Sequence, residues 1–259
     1  MSELSKIQRG VSNKPPRILI YGVEGIGKTS FAARAPRPIF VPTEDGLDGI
    51  DCDRFPLAET YEQVVTHLQS LLIDDHSYQS VVLDSLDWLE RLIGDRSAAD
   101  LGVRNIDQVG FGKGHTHALS YWRQVVQLLG QLREQRGMAV ILVAHSCVVR
   151  TDDPLCPSYD RYSPRLHKHA AALVTEWVDA VLLACWRFRV QSEDTGFGRE
   201  RSIAVPIGAP GEDRVLKCVG SPAWVAKNRF GLPAEISLDW GAFIACLSTV
   251  QSTGAAGPA

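Results

Sequence analysis

The chain has 259 residues, of which 45% are hydrophobic and 22% are charged, and its formal net charge is −3. This composition is that of a globular protein, and it excludes a collagen, a coiled coil or a wholly disordered chain. The net charge does not indicate a strongly basic nucleic-acid binder. No apolar run approaches the ~18 residues of a membrane span, and residues 1–16 contain no apolar signal segment. The six cysteines lack the C-x-x-C spacing of a zinc site and are expected to be reduced thiols in a cytoplasmic protein.

Five short apolar runs without a helical period predict buried strands at residues 17–21, 38–41, 80–84, 139–144 and 179–184. Helical patterns lie between them, at residues 28–34, 60–73, 116–136 and 167–177. Strands that are apolar throughout and alternate with helices predict an α/β fold with a mostly parallel sheet and helices on both faces.

After about Trp186 the pattern changes to short alternating segments separated by Gly, Pro and Asp. These segments predict antiparallel hairpins that extend the sheet, at residues 187–190, 201–206, 214–219 and 223–226. A last helix is predicted at residues 233–247. The whole predicts a single domain over residues 16–247, with a flexible arm at 1–15 and a disordered tail at 248–259.

One segment fits the pattern G-x-x-x-x-G-K-[ST] completely. It reads Gly22-Val23-Glu24-Gly25-Ile26-Gly27-Lys28-Thr29 and is followed by Ser30. It follows a predicted strand and begins a predicted helix, which is the context of a phosphate-binding P-loop. The glycines let backbone N–H groups surround phosphate oxygens. Lys28 is then expected to reach the β- and γ-phosphates of ATP, and the Thr29 hydroxyl is expected to ligate Mg²⁺.

A second Mg²⁺ ligand is expected where another strand ends. The run at residues 80–84 ends in Asp84, and ligands bind at the carboxyl ends of parallel strands. Asp84 is therefore expected beside Thr29, where it would hold the ion through water. Asp87 is the competing candidate, and its alternative role is to cap the helix that follows.

Two other strand ends carry residues suited to hydrolysis. Glu44 follows the second strand, which we expect next to the P-loop strand, so that its carboxylate would activate water as a general base, with Asp45 as the alternative. His145 ends the fourth strand and is expected to sense the γ-phosphate and report its loss to the long loop that follows; the alternative is a buried core histidine.

The order of these features resembles the RecA-like ATPase core. The stretch Ala226-Lys227-Asn228-Arg229-Phe230-Gly231 is similar to the K-N-R-F-G signature of the bacterial RadA/Sms branch. Other phrases are similar to phage-encoded nucleotide-binding proteins of the Sak type, which are implicated in single-strand annealing and recombination. These phrases are Phe111-Gly112-Lys113-Gly114, Val143-Ala144-His145, Arg165-Leu166-His167-Lys168 and Glu176-Trp177-Val178-Asp179-Ala180-Val181. The resemblance extends over residues 16–247.

The resemblance implies a DNA-stimulated ATPase that works as a ring or filament, with ATP between neighbouring subunits. It implies that Lys227 and Arg229 reach the γ-phosphate of the adjacent subunit, where a cation stabilises the transition state. It also implies single-stranded DNA as the substrate, a single-stranded-DNA-binding protein as a partner, and the cytoplasm of a bacterial host as the location.

Two segments, at residues 94–116 and 146–168, are predicted surface loops rich in cations, and aromatic residues accompany the cations of the second. Cations that contact the backbone, together with aromatics on which bases stack, suit single-stranded DNA, and in RecA-like proteins the corresponding loops line the DNA path. The candidate DNA-binding residues are Arg96, Arg104, Lys113, Arg150, Arg161, Arg165 and Lys168.

Three other classes remain open from the sequence. An AAA+ remodelling ATPase or helicase loader would place a helical lid after the core, whereas the pattern after Trp186 predicts strands. A small-molecule kinase would need lid arginines and a substrate pocket. A nucleotide-dependent structural module would use the same ligands for binding without turnover.

Overall fold

The computed structural model describes residues 7, 14–194, 200–207 and 213–254. Its strands are β1 (Arg17–Gly22), β2 (Pro38–Pro42), β3 (Asp53–Arg54), β4 (Ser80–Asp84), β5 (Ala139–Asp153), β6 (Cys156–Pro164), β7 (Ala180–Trp186), β8 (Phe188–Asp194), β9 (Glu200–Pro206), β10 (Arg214–Lys217), β11 (Lys227–Asn228) and β12 (Glu235–Ser237). Its α-helices are α1 (Lys28–Ala32), α2 (Tyr61–Ile73), α3 (Leu86–Asp100), α4 (Lys113–Gln135), α5 (Lys168–Trp177) and α6 (Trp240–Gly254). No helix within these ranges is both long enough and apolar enough to cross a membrane.

The main sheet has the order β12-β10-β7-β1-β5-β4-β2-β3. The strands from β7 to β3 are parallel, while β10, β11 and β12 pair antiparallel at the β7 side. This confirms the predicted α/β fold with a mostly parallel sheet. Strand β5 lies between the P-loop strand β1 and the Asp84 strand β4, so three strand ends with polar residues meet at one edge.

The sheet is covered on both faces because successive strand residues point to opposite sides. Leu19 and Tyr21 of β1 pack into a core with helices α2 to α5. Ile18 and Ile20 of the same strand pack into a second core, which includes Phe31 of α1 and residues of α6. A strand with two buried faces reads as a continuous apolar run, which explains the sequence pattern of β1, β4 and β7.

Helix α2 shows how local sequence sets an element's start. Thr60 is its N-cap, and the Thr60 hydroxyl accepts a hydrogen bond from the backbone N–H of Gln63. The Gln63 side chain in turn accepts from the backbone N–H of Thr60, at 3.3 Å. This capping box satisfies two backbone donors at the helix start. It places the first turn at the position that the sequence predicts.

Two predictions between the strands were wrong. The segment at residues 94–116 is not a loop, because it comprises the end of α3, two short 3-10 turns and the start of α4. The long loop predicted after His145 is a β-hairpin, in which β5 continues to Asp153 and pairs antiparallel with β6. We call residues 146–164 the arm. Its residues Val148, Val149 and Arg150 are consecutive and all exposed, so the β5 half of the arm lacks the alternation of a half-buried strand.

The predicted hairpins after Trp186 are partly wrong. Strands β8 and β9 pair with each other in a separate two-stranded sheet and do not extend the main one. The predicted strand at residues 223–226 contains only an isolated β-bridge at Trp224, and the strand follows at β11. The last helix begins at Trp240, since β12 occupies part of the predicted helix.

The predicted ends of the domain also differ from the structure. Helix α6 continues to Gly254, which corrects the tail predicted from residue 248; residues 255–259 lie outside the described residues. Of the predicted N-terminal arm, Lys14 and Pro15 are held by the body, because Lys14 pairs with Glu134 and the Pro15 carbonyl accepts from Arg133 at 2.6 Å. Residues 1–6 and 8–13 lie outside the description.

Candidate nucleotide-binding site

The P-loop joins β1 to α1 in a conformation that depends on glycine. Gly25 and Gly27 have φ angles of 73° and 109°, which side chains disfavour. A Cβ on Gly22 would stand 2.4 Å from the carbonyl oxygen of Ala184 on the adjacent strand, so no larger residue fits there. Glycine is therefore required at Gly25 and Gly27 by their positive φ angles, and at Gly22 by the nearby backbone of β7.

Lys28 is buried at the centre of this loop. Its Nζ donates to the carbonyl oxygens of Gly22 and Val23, at 3.0 and 2.9 Å. Burial lowers the pKa of Lys28, and this effect is opposed by Asp84 and other nearby carboxylates. The two carbonyls hold the ammonium group inside the loop, where a phosphate group would lie.

The structure brings Thr29 and Asp84 together across 55 residues of sequence, with the Thr29 hydroxyl 2.8 Å from Asp84 Oδ2. Asp84 is only 9% exposed at the end of β4. A hydroxyl and a carboxylate are hard oxygen ligands of the kind that Mg²⁺ prefers. The pair therefore has the chemistry of the predicted ion site.

Glu44 reaches the same site by a route that differs from the prediction. Strand β2 is not next to β1, because β5 and β4 lie between them. The loop after β2 instead crosses the end of β4, where the Thr43 N–H donates to the Asp84 carbonyl at 2.8 Å. The Ser85 hydroxyl donates to Glu44 Oε2 at 2.9 Å. Asp45 is exposed and does not line the cavity that Glu44 lines.

His145 lies buried at the end of the core part of β5, between several carboxylates. Its Nδ1 is 3.0 Å from Asp87 Oδ2 and 3.9 Å from Glu44 Oε2. Its Nε2 is 4.0 Å from Glu24 Oε1. The residue thus faces the P-loop and the Glu44 loop together. Its position agrees with a γ-phosphate sensor, although Asp87 also gives it the partner of a satisfied core histidine.

Asp87 and Arg165 are the residues whose place the sequence prediction missed. Asp87 does not reach Thr29 but accepts hydrogen bonds from His145 and, at 2.7 Å, from Arg165 Nη2. Burial by itself would raise the pKa of Asp87, but these bonds outweigh burial and hold its pKa well below the usual range. Arg165 Nη1 also lies 3.4 Å from Glu24 Oε1 of the P-loop, so this arginine belongs to the nucleotide edge.

A cavity of about 310 Å³ collects these groups at the carboxyl edge of the sheet. Its lining residues are Glu24, Gly25, Gly27, Lys28, Thr29, Ser30, Glu44, Gly46, Leu47, Ile50, Asp84 and His145. Polar groups for phosphates and a metal ion stand on one side, and the apolar Leu47 and Ile50 complete the wall. The residues present fit ATP with Mg²⁺.

Lys227 and Arg229 lie near the amino ends of the parallel strands, whereas the P-loop lies at their carboxyl ends. Lys227 Nζ donates to the carbonyls of Thr175, Glu176 and Val178 at the end of α5, at 2.7–2.8 Å. Arg229 is half-exposed and lies 3.7 Å from Asp179, which directly precedes β7. Neither cation reaches the nucleotide cavity of its own chain, and Lys227 has a structural role at the helix end.

The candidate DNA-binding residues divide into two groups. Arg96 of α3 is paired with Glu62 of α2 and with Asp100 of its own helix. Arg161 is half-buried beside the Trp224 carbonyl. With Arg165, these three are engaged within the protein. The exposed candidates are Arg104, Lys113, Arg150 and Lys168.

A family model described as an AAA domain (AAA_24) matches residues 14–230. The chain belongs to this family. As an AAA domain it is a P-loop protein of the nucleotide-binding ATPase class, in agreement with the cavity. The SPbeta prophage-derived uncharacterized protein YorG of Bacillus subtilis strain 168 is 24% identical over 150 residues, which are 56% of this chain and 44% of YorG. The aligned part of this chain thus covers less than half of that relative's length.

The burial of Asp84 leads to a stability prediction for the nucleotide-free AAA domain. Burial raises the pKa of Asp84 from 3.8 to about 6. The folded state therefore loses stability as pH rises from ~4 through ~6, by at most about 3 kcal/mol. We expect Asp84→Asn to raise the free energy of unfolding, and with it the thermal midpoint, at pH 7. At pH 5 the gain in free energy of unfolding should be about half as large, as measured by thermal melts.

Asp87→Asn is the matched control, because its shift has the opposite sign. The lowered pKa of Asp87 contributes stability above its ordinary value of 3.8, and this stability is lost as pH falls. Asp87→Asn should thus lower the midpoint at pH 7. A loss of stability in Asp84→Asn at pH 7 would contradict the expectation.

Proposed function

We propose that this AAA domain is a RecA-like ATPase that acts on single-stranded DNA in recombination or strand annealing. One observation carries the proposal: Lys28, Thr29, Asp84, Glu44 and His145 line a single cavity although they come from four different strand ends. The finer assignment, to the RecA/RadA branch and to phage proteins of the Sak type, is supported by the K-N-R-F-G element. The prophage relative supports a phage-encoded P-loop ATPase.

Each residue would have a separate task in hydrolysis. Lys28 would bind the β- and γ-phosphates, and Thr29 and Asp84 would hold Mg²⁺, which neutralises phosphate charge when bound. Glu44 would accept a proton from the attacking water, and the Ser85 hydroxyl keeps its carboxylate oriented at 2.9 Å. His145 would donate to the γ-phosphate from Nε2, the nitrogen that does not face Asp87, in its imidazolium form with both nitrogens protonated.

The direct test is the rate of ATP hydrolysis with and without single-stranded DNA. The proposal expects turnover in the protein alone and a higher rate with DNA. If neither single-stranded nor double-stranded DNA changes the rate of hydrolysis, the DNA part of the proposal is wrong. Binding of ATP without turnover would favour a nucleotide-dependent structural module.

The strands after β7 favour the RecA-like proposal over a remodelling ATPase with a helical lid. Within residues 14–194, 200–207 and 213–254, the chain after β7 adds β10, β11 and β12 to the main sheet. Helix α6 packs its Trp240 and Phe243 against Phe31 of α1, and so belongs to the core and not to a lid.

DNA binding is proposed for the surface around the starts of α4 and α5. Arg104 and His115 line one open cavity, and the His115 ring stacks on His167 with centroids 3.8 Å apart. Lys113 is the first residue of α4, which carries His115, and Lys168 is the first residue of α5, whose N-cap is His167. Three exposed cations thus flank a pair of stacked rings, a combination that suits a phosphate backbone and unpaired bases.

Neutralising Arg104, Lys113 and Lys168 together to Gln should weaken binding to single-stranded DNA. Each lost phosphate contact reduces the slope of log affinity against log salt by about 0.7, so the slope should fall by about two units. Fluorescence anisotropy of a labelled oligonucleotide over a salt series measures this. Lys14, Arg37 and Arg136, which lie at the other edge of the sheet, form the charge-matched control triple; if both triples give the same slope, DNA binds elsewhere.

A homo-oligomer is proposed because the cavity opens at one edge of the sheet and Arg229 stands at the other. Head-to-tail contact would bring this half-exposed cation of one subunit to the nucleotide of the next. Arg229 is the better candidate for this task, since the ammonium group of Lys227 already has three carbonyl partners in its own chain.

Mixing two inactive variants tests this arrangement. Lys28→Ala keeps the cation and Arg229→Ala keeps the P-loop, so an equimolar mixture should regain about a quarter of the wild-type ATPase rate if subunits assort at random in head-to-tail contacts. Sedimentation with an ATP analogue checks assembly of each variant. If mixing restores nothing while both variants still assemble, Arg229 does not act on the neighbouring subunit.

A further inference from the structure

The arm leaves the core between two residues that share one partner. His145 ends the buried part of β5, and Arg165 directly follows β6. The Arg165 N–H donates to the His145 carbonyl at 2.8 Å, which closes the base of the hairpin. Both side chains then bond to Asp87, so this one carboxylate joins the two ends of the hairpin base.

Asp87 is placed to hold both residues firmly. Its side chain is 4% exposed, and it lies in the first turn of α3. It accepts from the His145 backbone N–H at 3.1 Å, from the ring at Nδ1 and from Arg165 Nη2. Because this carboxylate can only accept, Nδ1 of His145 carries a proton toward it, while Nε2 lies on the side of Glu24.

Arg165 has a second partner on the P-loop itself. Its Nη1 lies 3.4 Å from Glu24 Oε1, and Glu24 is the third residue of the motif, 69% exposed in its side chain. Phosphates bound in the cavity would bring negative charge beside Glu24. They would repel its carboxylate and attract the guanidinium, so the Arg165–Glu24 pair is the contact that bound nucleotide would change.

We infer that Asp87 and Arg165 are positioning residues that couple the nucleotide site to the arm, with Arg165 exchanging Glu24 for phosphate charge when ATP binds. This reassigns Arg165, which the sequence alone indicated as a DNA contact. The inference rests on the proposed function for its ligand, but not on DNA. Because Arg165 is joined to both Asp87 and the His145 backbone, its exchange of partner tightens the base of the hairpin.

Amide hydrogen exchange of residues 146–164 tests the coupling in the full chain. The wild type is measured alone, with ADP and with a non-hydrolysable ATP analogue, and a fluorescent nucleotide confirms saturation. We expect the analogue to slow exchange in the arm about fivefold or more. Asp87→Asn and Arg165→Gln should bind the fluorescent nucleotide yet lose this difference, and Arg165→Lys should restore part of it.

Two further variants separate coupling from folding. Arg150→Gln removes an exposed cation of the arm that does not touch Asp87, and it should keep the full nucleotide effect. Glu24→Gln changes an exposed side chain, and it should enlarge the effect because the nucleotide-free state loses its competing partner. The inference alone is wrong if saturating nucleotide leaves amide exchange in the wild-type arm unchanged. It is also wrong if both Asp87→Asn and Arg165→Gln keep the full nucleotide effect on that exchange. Failure of the wild type to bind nucleotide would overturn the proposed function as well.

Discussion

Replacing Lys28 by Ala is expected to reduce ATP turnover by at least about 10²–10³-fold and to weaken nucleotide binding. Lys28 is 6% exposed and its ammonium group is held by two P-loop carbonyls, so it already lies inside the phosphate-binding loop. Its charge is partly desolvated, which strengthens its attraction to a γ-phosphate whose charge changes during transfer. Alanine supplies neither the charge nor the hydrogen bonds, and no neighbouring cation of the same loop can replace it.

The measurement is steady-state phosphate release together with nucleotide affinity. Lys14→Ala is the matched control, since Lys14 is half-exposed and pairs with Glu134 at the far edge of the sheet. Circular dichroism should show that Lys28→Ala remains folded. Hydrolysis at the wild-type rate in a folded Lys28→Ala protein would refute the assignment of this cavity to ATP turnover.

The parts of the site that follow strand ends could be predicted from sequence. Thr29 and Asp84 are far apart in the chain, but each follows a strand that is apolar throughout, and parallel strands of one sheet end at the same edge. The P-loop supplied the reference point. Glu44 lines the same cavity as Lys28 and Asp84 although the sheet order differs from the prediction, because its loop returns across the end of β4.

The rest of the site could not be read from periodicity. Strand β5 continues into the arm, where both faces meet solvent, so Val148 and Val149 are neighbours in sequence and are both exposed. Such a strand has no alternation to detect. The prediction of a loop then placed Arg165 in a DNA path, whereas the hairpin returns it to the P-loop. A helix was expected after Asp87, but its second half was assigned to a loop, because Gly94 and several acidic residues interrupt the apolar stripe of α3.

The family match reaches the AAA domain class and agrees with the phosphate site. It does not distinguish the RecA branch from the other branches of P-loop ATPases. The features that do so in our proposal are the antiparallel strands beside β7, the arm and the cations at residues 227–229. These features all lie outside the P-loop. Experiments on assembly and DNA binding that change them will therefore best distinguish the RecA branch from other P-loop ATPases.

Glu44→Gln is expected to lower turnover by about 10²-fold or more while ATP binding stays intact. The amide keeps an oxygen that can accept the Ser85 hydroxyl, so the loop across the end of β4 retains its bond. What is lost is the proton acceptor for the attacking water. Single-turnover hydrolysis, with binding followed separately by a fluorescent nucleotide, distinguishes a slow chemical step from weak binding.

Asp45→Asn resolves which carboxylate acts as the base. Asp45 is exposed and lies outside the cavity, whereas Glu44 shares the lining with Lys28 and Asp84. A water between Glu44 and a phosphate held by Lys28 would be within reach of Glu44 but not of Asp45, so the Asp45 variant should hydrolyse ATP at close to the wild-type rate. The opposite result, with turnover lost in Asp45→Asn and kept in Glu44→Gln, would mean that the loop after β2 rearranges when ATP binds and that Asp45 takes the place of Glu44 at the phosphate.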